Sequence, residues 1–63
     1  MVVKEGNVID LEGNQFHLII EYDPDNTGGY YLFDSRGFDN WFLKEEDVYQ
    51  YLCGEKWEIM WKK

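Results

Sequence analysis

Residues 8–22 read Val-Ile-Asp-Leu-Glu-Gly-Asn-Gln-Phe-His-Leu-Ile-Ile-Glu-Tyr, with apolar and polar side chains alternating on both sides of Gly13-Asn14. Alternation with a period of two is typical of β-strands that bury one face. The pattern therefore predicts one strand over residues 8–12 and a second over residues 15–22. Glycine followed by asparagine favours a two-residue type II′ turn between them, so the stretch is expected to form a β-hairpin.

The predicted turn sets which side chains lie opposite each other across the hairpin. It pairs Leu11 with Phe16 and Ile9 with Leu18, so the apolar residues of both strands share one face. A shift by one residue would move a whole set of side chains to the other face, so this agreement favours the predicted register.

The remainder of the chain predicts four more elements, separated by segments rich in turn-forming residues. They are a third strand, a fourth strand, a helix and a last strand, at residues 30–34, 39–43, 44–53 and 55–62. Gly54 is a natural residue to end the helix. The predicted order is ββββαβ, a small single α+β domain over residues 1–63. It consists of a four-stranded antiparallel meander, one short helix and a final strand, with the sheet curved or forming a small open barrel.

Alternation along the meander also predicts which side chains form the core. The predicted core face consists of Ile9, Leu11, Phe16, Leu18, Ile20, Tyr22, Tyr30, Leu32, Trp41 and Leu43. Four other apolar residues point away from it, with Tyr31 beside Phe42 and Ile19 opposite Phe33. One helix cannot easily cover both faces of a sheet, so these four residues predict an exposed interface patch. The alternatives are that the sheet closes into a barrel, that residues 2–3 cover the patch, or that two copies dimerise through it.

Acidic side chains outnumber basic ones by 13 to 6, which gives a formal net charge of −7. A protein that binds the phosphate backbone needs an excess of Lys and Arg, so direct nucleic-acid binding is not expected. Between residues 10 and 47 ten carboxylates accompany two basic groups, whereas the rest of the chain carries +1. The charge serves either solubility or an anionic surface aimed at a basic groove.

The chain offers few residues for catalysis or for covalent cross-linking. His17, Ser35 and Cys53 are each the only residue of their type, and no catalytic motif joins them, so neither an enzyme nor a cofactor is predicted. A single cysteine excludes an internal disulfide, which favours a cytoplasmic, intracellular location. No apolar run approaches the ~20 residues of a membrane span, so no membrane partner is expected.

One segment partly matches a calcium-binding loop. Asp23, Asp25, Thr27, Gly28 and Asp34 have the spacing of positions 1, 3, 5, 6 and 12 of such a loop. The flanking segments are predicted strands instead of helices, and an aspartate replaces the usual bidentate glutamate. The segment is therefore expected to be a hairpin loop, and no metal site is predicted.

An acidic rim around an aromatic patch is typical of a protein interface. In composition the chain resembles small acidic phage or mobile-element proteins that inhibit host nucleases or defence complexes. The sequence thus predicts a non-enzymatic inhibitor of this anti-defence type, which occupies a basic, nucleic-acid-binding site on a larger protein. The predicted contacts are the carboxylates of Asp23, Asp25, Asp34, Asp39, Glu45, Glu46 and Asp47 and the rings of Tyr31, Phe33 and Phe42.

The alternative function is a small regulatory or accessory module. It would bind a small molecule or a peptide, the latter by strand addition at an exposed sheet edge, with a homodimer as one form of the module.

Overall fold

Five strands and one helix form within residues 1–62, the part of the chain that the computed structural model describes. They are β1 (Val2–Ile9), β2 (Gln15–Asp23), β3 (Gly29–Asp34), β4 (Asp39–Phe42), α1 (Glu45–Glu55) and β5 (Glu58–Trp61). The predicted order ββββαβ is confirmed, although β1 begins well before the predicted start at residue 8.

All strand pairs are antiparallel, and the strands form one sheet in the order β4-β3-β2-β1-β5. The helix follows one edge strand, β4, and precedes the other edge strand, β5, so it crosses one face of the sheet between them. Within residues 1–62 the edges β4 and β5 do not pair with each other, so the sheet stays open. The predicted α+β class is confirmed.

The first hairpin has a longer turn than predicted. Asp10 N–H donates to the carbonyl of Asn14 (3.0 Å), and Gly13 N–H donates to the carbonyl of Asp10 (3.0 Å), which leaves residues 11–13 as the loop. Gly13 has a φ of +85°, the left-handed conformation that a three-residue hairpin loop needs at its last position. The predicted two-residue turn is therefore wrong.

The longer loop changes which residues of β1 face the core. Val8 lies opposite Phe16 and is fully buried, so the predicted pairs Leu11–Phe16 and Ile9–Leu18 are wrong. Leu11 lies at the loop tip with 79% of its surface exposed. Ile9 lies opposite Gln15, on the face of the sheet away from the core.

The β3–β4 turn repeats the same construction. Asp34 N–H donates to the carbonyl of Phe38 (3.0 Å), Gly37 N–H donates to the carbonyl of Asp34 (3.1 Å), and Gly37 has a φ of +95°. In both turns the aspartate carboxylate accepts N–H bonds from the residues two and four positions later. The loop again holds three residues, 35–37, whereas the predicted core face assumes a two-residue turn with Arg36 and Gly37 at its centre.

This loop moves the register of β4 by one residue. Tyr30 lies opposite Phe42, and Tyr31 lies opposite Trp41. Phe42 therefore packs against the core, and the prediction that it points away from the core is wrong. Trp41 takes the outward position that was predicted for Phe42, and Leu43, predicted in the core, is 61% exposed.

The core lies between α1 and the face of the sheet that the helix crosses. Its buried members are Val8, Phe16, Leu18, Ile20, Leu32, Val48 and Leu52. Partly buried residues pack around them, namely Tyr30, Phe42, Tyr49, Tyr51, Trp57, Ile59 and Trp61. Large rings each bury ~150–250 Å², which helps a domain this small to stay folded.

The helix extends two residues beyond its predicted end. Lys56, not Gly54, takes the left-handed conformation that ends α1, with a φ of 58°. The acidic residues Glu45, Glu46 and Asp47 occupy the first turn, where the helix dipole favours negative charge. No helix in residues 1–62 is long and apolar enough to cross a membrane.

Candidate protein-binding surface

The face of the sheet opposite α1, here called the open face, is not covered by any other element within residues 1–62. Alternate residues of each strand supply its side chains. They are Val2, Glu5, Asn7 and Ile9 of β1; Gln15, His17, Ile19, Glu21 and Asp23 of β2; Gly29, Tyr31 and Phe33 of β3; Asp39 and Trp41 of β4; and Glu58 and Met60 of β5.

Four of these residues form a continuous apolar strip across β2, β3 and β4, here called the open-face patch: Ile19, Tyr31, Phe33 and Trp41. Ile19 lies opposite Phe33, and Tyr31 lies opposite Trp41. The rings of Tyr31 and Phe33 stack with their centroids 5.6 Å apart and their planes 16° apart. A contiguous apolar strip that a folded chain leaves uncovered marks an interaction surface.

The ring of Trp41 is fixed in position on the sheet. Its indole Nε1 donates a hydrogen bond to the hydroxyl of Thr27 (3.0 Å), which itself accepts the N–H of Gly29 (3.2 Å). A Cβ at Gly29 would collide with the indole, so the glycine makes room for the ring. Trp41 is 41% exposed yet pre-organised, and pre-organised side chains lose little entropy on binding.

The strand positions of the open face carry five carboxylates and neither Lys nor Arg. The carboxylates belong to Glu5, Glu21, Asp23, Asp39 and Glu58. Glu21 lies opposite Tyr31, and Asp39 lies opposite Phe33, so negative charge borders the patch directly. Two cations lie close to these carboxylates. The N-terminal ammonium of Met1 is 3.8 Å from Glu21 Oε1, and Nζ of Lys62, just beyond β5, is 3.8 Å from Glu5 Oε1.

The single histidine lies on the open face but does not join a catalytic set. His17 Nε2 is 3.5 Å from Glu5 Oε2, and His17 Nδ1 is 3.2 Å from Asn7 Oδ1. The hydroxyl of Ser35 accepts the backbone N–H of His17 (3.0 Å) and so serves the β2–β3 pairing. Cys53 lies on α1, across the sheet from the histidine.

The structure distributes the predicted contact residues over different surfaces. Tyr31 and Phe33 lie in the open-face patch, and Asp23 and Asp39 lie beside it. Asp25 is exposed in the β2–β3 loop. Three further carboxylates, of Glu45, Glu46 and Asp47, lie in the first turn of α1, on the covered side of the sheet.

Two predicted contact residues, Phe42 and Asp34, lie inside the fold instead of on a binding surface. Phe42 faces the core, where its ring contacts Tyr51 with a centroid distance of 5.7 Å. The side chain of Asp34 is fully buried, and its Oδ2 is 2.8 Å from Nη2 of Arg36. Burial alone would raise the pKa of Asp34, but hydrogen bonds from Arg36 and Phe38 outweigh this effect and lower the pKa. Neither residue lies on the open face.

Trp41 belongs to the patch, although the sequence pattern places it in the core. Its position depends on the three-residue loop at residues 35–37. The available signal is the spacing Asp34-x-x-Gly37, which matches Asp10-x-x-Gly13 and is typical of a type I turn with Asp first and Gly fourth.

The partial calcium pattern does not gather its side chains. Asp23 lies opposite Gly29 at one end of β3, whereas Asp34 lies opposite Leu18 at the other end. Among the residues that the structure describes, no group of three or more His, Cys, Asp or Glu is placed to hold a metal ion.

A second feature, an apolar groove, lies on the covered side between α1 and β5. It has a volume of about 290 Å³ and is lined by Tyr49, Leu52, Cys53, Trp57, Ile59 and Trp61. The ammonium of Lys4 lies over two of these rings, 4.9 Å from the centroid of Trp61 and 5.6 Å from that of Tyr49.

Comparison with protein-family models, with curated proteins and with solved structures finds no significant match to this chain.

Proposed function

We propose that this chain is a non-catalytic binding protein that docks its open face on a basic surface of a larger protein. The observation that carries the proposal is the open-face patch, an uncovered aromatic strip that has carboxylates beside it and neither Lys nor Arg at the strand positions of its face. Buried aromatic anchors supply most of the affinity in protein interfaces, and a polar rim around them excludes water. Tyr31, Phe33 and Trp41 are the anchors, and the nearby carboxylates form the rim.

The charge of the rim specifies the partner. Carboxylates on both sides of the patch, such as Glu21 and Asp39, repel an acidic surface and attract one rich in Lys and Arg. Complementary charges of this kind raise the association rate and reject wrong partners more than they raise affinity.

A basic surface on a larger protein is frequently the place where it holds nucleic-acid phosphates. By covering such a surface, the chain would exclude the nucleic acid and so inhibit the larger protein. A host nuclease or defence complex inhibited by a phage or mobile-element protein is one instance of this arrangement. An intracellular location, consistent with the single cysteine, is part of the same proposal.

Affinity capture with matched variants tests the proposal. The wild-type chain, Tyr31→Ala and Leu11→Ala are immobilised and exposed to lysates of candidate host cells. Leu11 is the control, because its large apolar side chain is 79% exposed but lies outside the open face. We expect wild type and Leu11→Ala to retain the same basic, nucleic-acid-binding protein and Tyr31→Ala to lose it. Equal retention by all three chains would contradict the proposal.

Affinities for the purified partner then separate the contribution of the aromatic anchors from that of the rim charges. Tyr31→Ala should weaken binding roughly 30-fold, the effect of losing about 2 kcal/mol at an aromatic anchor. Raising NaCl from roughly 0.05 to 0.5 M should weaken binding of the wild type, because salt screens the rim charges. The nucleic acid should displace the chain, and a stable ternary complex would exclude the inhibitory mechanism.

The groove between α1 and β5 favours a second candidate, a module that binds a small apolar ligand. At about 290 Å³ the groove is near the lower limit of ordinary ligand pockets, ~300–1,000 Å³. Cys53 lines the groove from an exposed position of α1, so Cys53→Trp would fill the groove without overpacking the core. Ligand binding that Cys53→Trp abolishes and that salt leaves unchanged would support this candidate over the first.

A further inference from the structure

The outer edge of β5 presents unused backbone hydrogen-bonding groups. β5 pairs with β1 on one side, and within residues 1–62 no strand pairs with its other side. Such an edge is a template for another strand. What would fit there depends on which backbone groups point outward and which side chains lie beside them.

The direction of the backbone groups follows from one hydrogen bond. The N–H of Lys62 donates to the carbonyl of Glu5 (2.8 Å), so residue 62 directs its groups towards β1. Since these directions alternate along an antiparallel strand, Glu58 and Met60 also point towards β1, whereas Ile59 and Trp61 point to the free edge. An added antiparallel strand must therefore bond to Ile59 and Trp61.

A second copy of β5 can hydrogen-bond to Ile59 and Trp61, and it also brings side chains of opposite charge together. With Met60 opposite Met60 of the second copy, Ile59 lies opposite Trp61, so that all outward backbone groups find partners. In the same register Glu58 lies opposite Lys62, which makes one ion pair on each side of the two-fold axis. Centring the pair on Ile59 or on Trp61 instead would leave Glu58 without Lys62.

Charge favours this edge over the open face as the place where two copies meet. Each copy has a net charge of −7, and two open faces in contact would bring five carboxylates from each copy together. Residues 55–62 carry two acidic and two basic side chains, Glu55 and Glu58 with Lys56 and Lys62, and are neutral.

Uncovered apolar surface lies on both sides of the same edge. Met60 is 57% exposed on the open-face side. On the covered side, Ile59 and Trp61 line the apolar groove beside α1. A second strand would place its own Ile59 and Trp61 next to this groove and cover Met60.

We propose that two copies of this chain pair antiparallel through β5, with Met60 at the two-fold axis, and form one continuous ten-stranded sheet. The two-fold axis is perpendicular to the sheet, so both open faces lie on the same side and both helices lie on the other. The dimer thus presents two open-face patches together. The pairing does not depend on the proposed partner of the open face.

Mass measurement over a concentration series tests the pairing. Sedimentation equilibrium of the wild type should show a reversible change from the 7.6 kDa monomer to twice that mass. Glu58→Lys should weaken dimerisation roughly tenfold or more, because it places two lysines opposite each other twice in the dimer. The charge exchange Glu58→Lys with Lys62→Glu should restore the dimer. Glu46→Lys, an equal charge change on the exposed side of α1, is the control and should leave the dimer intact.

Two outcomes would overturn the proposal. One is a mass of 7.6 kDa for the wild type up to millimolar concentration. The other is a dimer that Glu58→Lys does not weaken, which would assign dimerisation to another surface.

Cross-linking tests the register independently of charge. In a Cys53→Ser background, Met60→Cys puts two thiols at a pair without mutual hydrogen bonds, where Cα atoms lie ~4.5 Å apart, within disulfide range. With oxidised glutathione as oxidant, this variant should form a covalent dimer, and Gln50→Cys in the same background should not. Equal cross-linking of the two variants would contradict the register.

Discussion

Asp10 and Asp34 occupy equivalent positions in two turns but lie in different surroundings. Each accepts N–H bonds from residues two and four positions later. Asp10 lies at the surface, where the hydrogen bond from the Asn14 backbone lowers its pKa. Burial of Asp34 opposes ionisation, yet the hydrogen bonds from Arg36 lower its pKa as well. In both turns the ionised carboxylate stabilises the fold, and at Asp34 it does so from inside the protein.

Asp34→Asn should reduce the free energy of unfolding at pH 7 by about 2 kcal/mol, because the turn loses charge-assisted hydrogen bonds with Arg36. A lowered pKa in the folded state stabilises the fold above the ordinary value of 3.8, and this contribution is lost as the pH falls below it. Urea unfolding at pH 7 and near pH 2.5 should therefore show wild type and Asp34→Asn converging at the lower pH. Asp10→Asn is the matched control and should have a smaller effect. A difference for Asp34→Asn that does not change with pH would contradict this explanation.

At the scale of strands and turns, alternation predicts the elements but not their register. The alternation in residues 15–22 and 30–34 extends over whole strands, and it correctly places Leu18, Ile20 and Leu32 in the core. Register depends on loop length, and one extra loop residue at residues 35–37 exchanges the faces of Trp41 and Phe42. The sequence therefore predicts that Tyr31 and Phe33 belong to the patch. The outward position of Trp41 follows only from the length of the loop at residues 35–37. Which face stays uncovered depends on the path of α1, a tertiary property that local patterns do not contain.

Two glycines in different elements should respond in opposite ways to an added methyl group. Gly54 lies inside α1, and a Cβ there meets nothing within 4 Å, so Gly54→Ala should raise the free energy of unfolding by about 0.5–1 kcal/mol. Gly29→Ala should lower it by about 1–3 kcal/mol, because the Cβ would collide with the ring of Trp41. Urea unfolding midpoints measure both changes. Destabilisation by Gly54→Ala, or no effect of Gly29→Ala, would contradict the described packing.

For the whole molecule, the two sides of the sheet serve different purposes. The covered side holds the core and α1. The open face combines the aromatic patch with five carboxylates and has neither Lys nor Arg at its strand positions. The β5 edge is neutral over residues 55–62, so the proposed pairing of two copies along this edge brings no net charge together. A net charge of −7 thus discourages contact between open faces and leaves them free for the proposed basic partner.

The most direct measurement is an NMR footprint of the ¹⁵N-labelled chain with the partner that it captures. Binding through the open face should perturb the amides of Ile19, Tyr31, Phe33 and Trp41 most and leave the exposed side of α1 unchanged. A footprint centred on α1 or on the groove between α1 and β5, with β3 and β4 unchanged, would contradict the proposed role of the open-face patch.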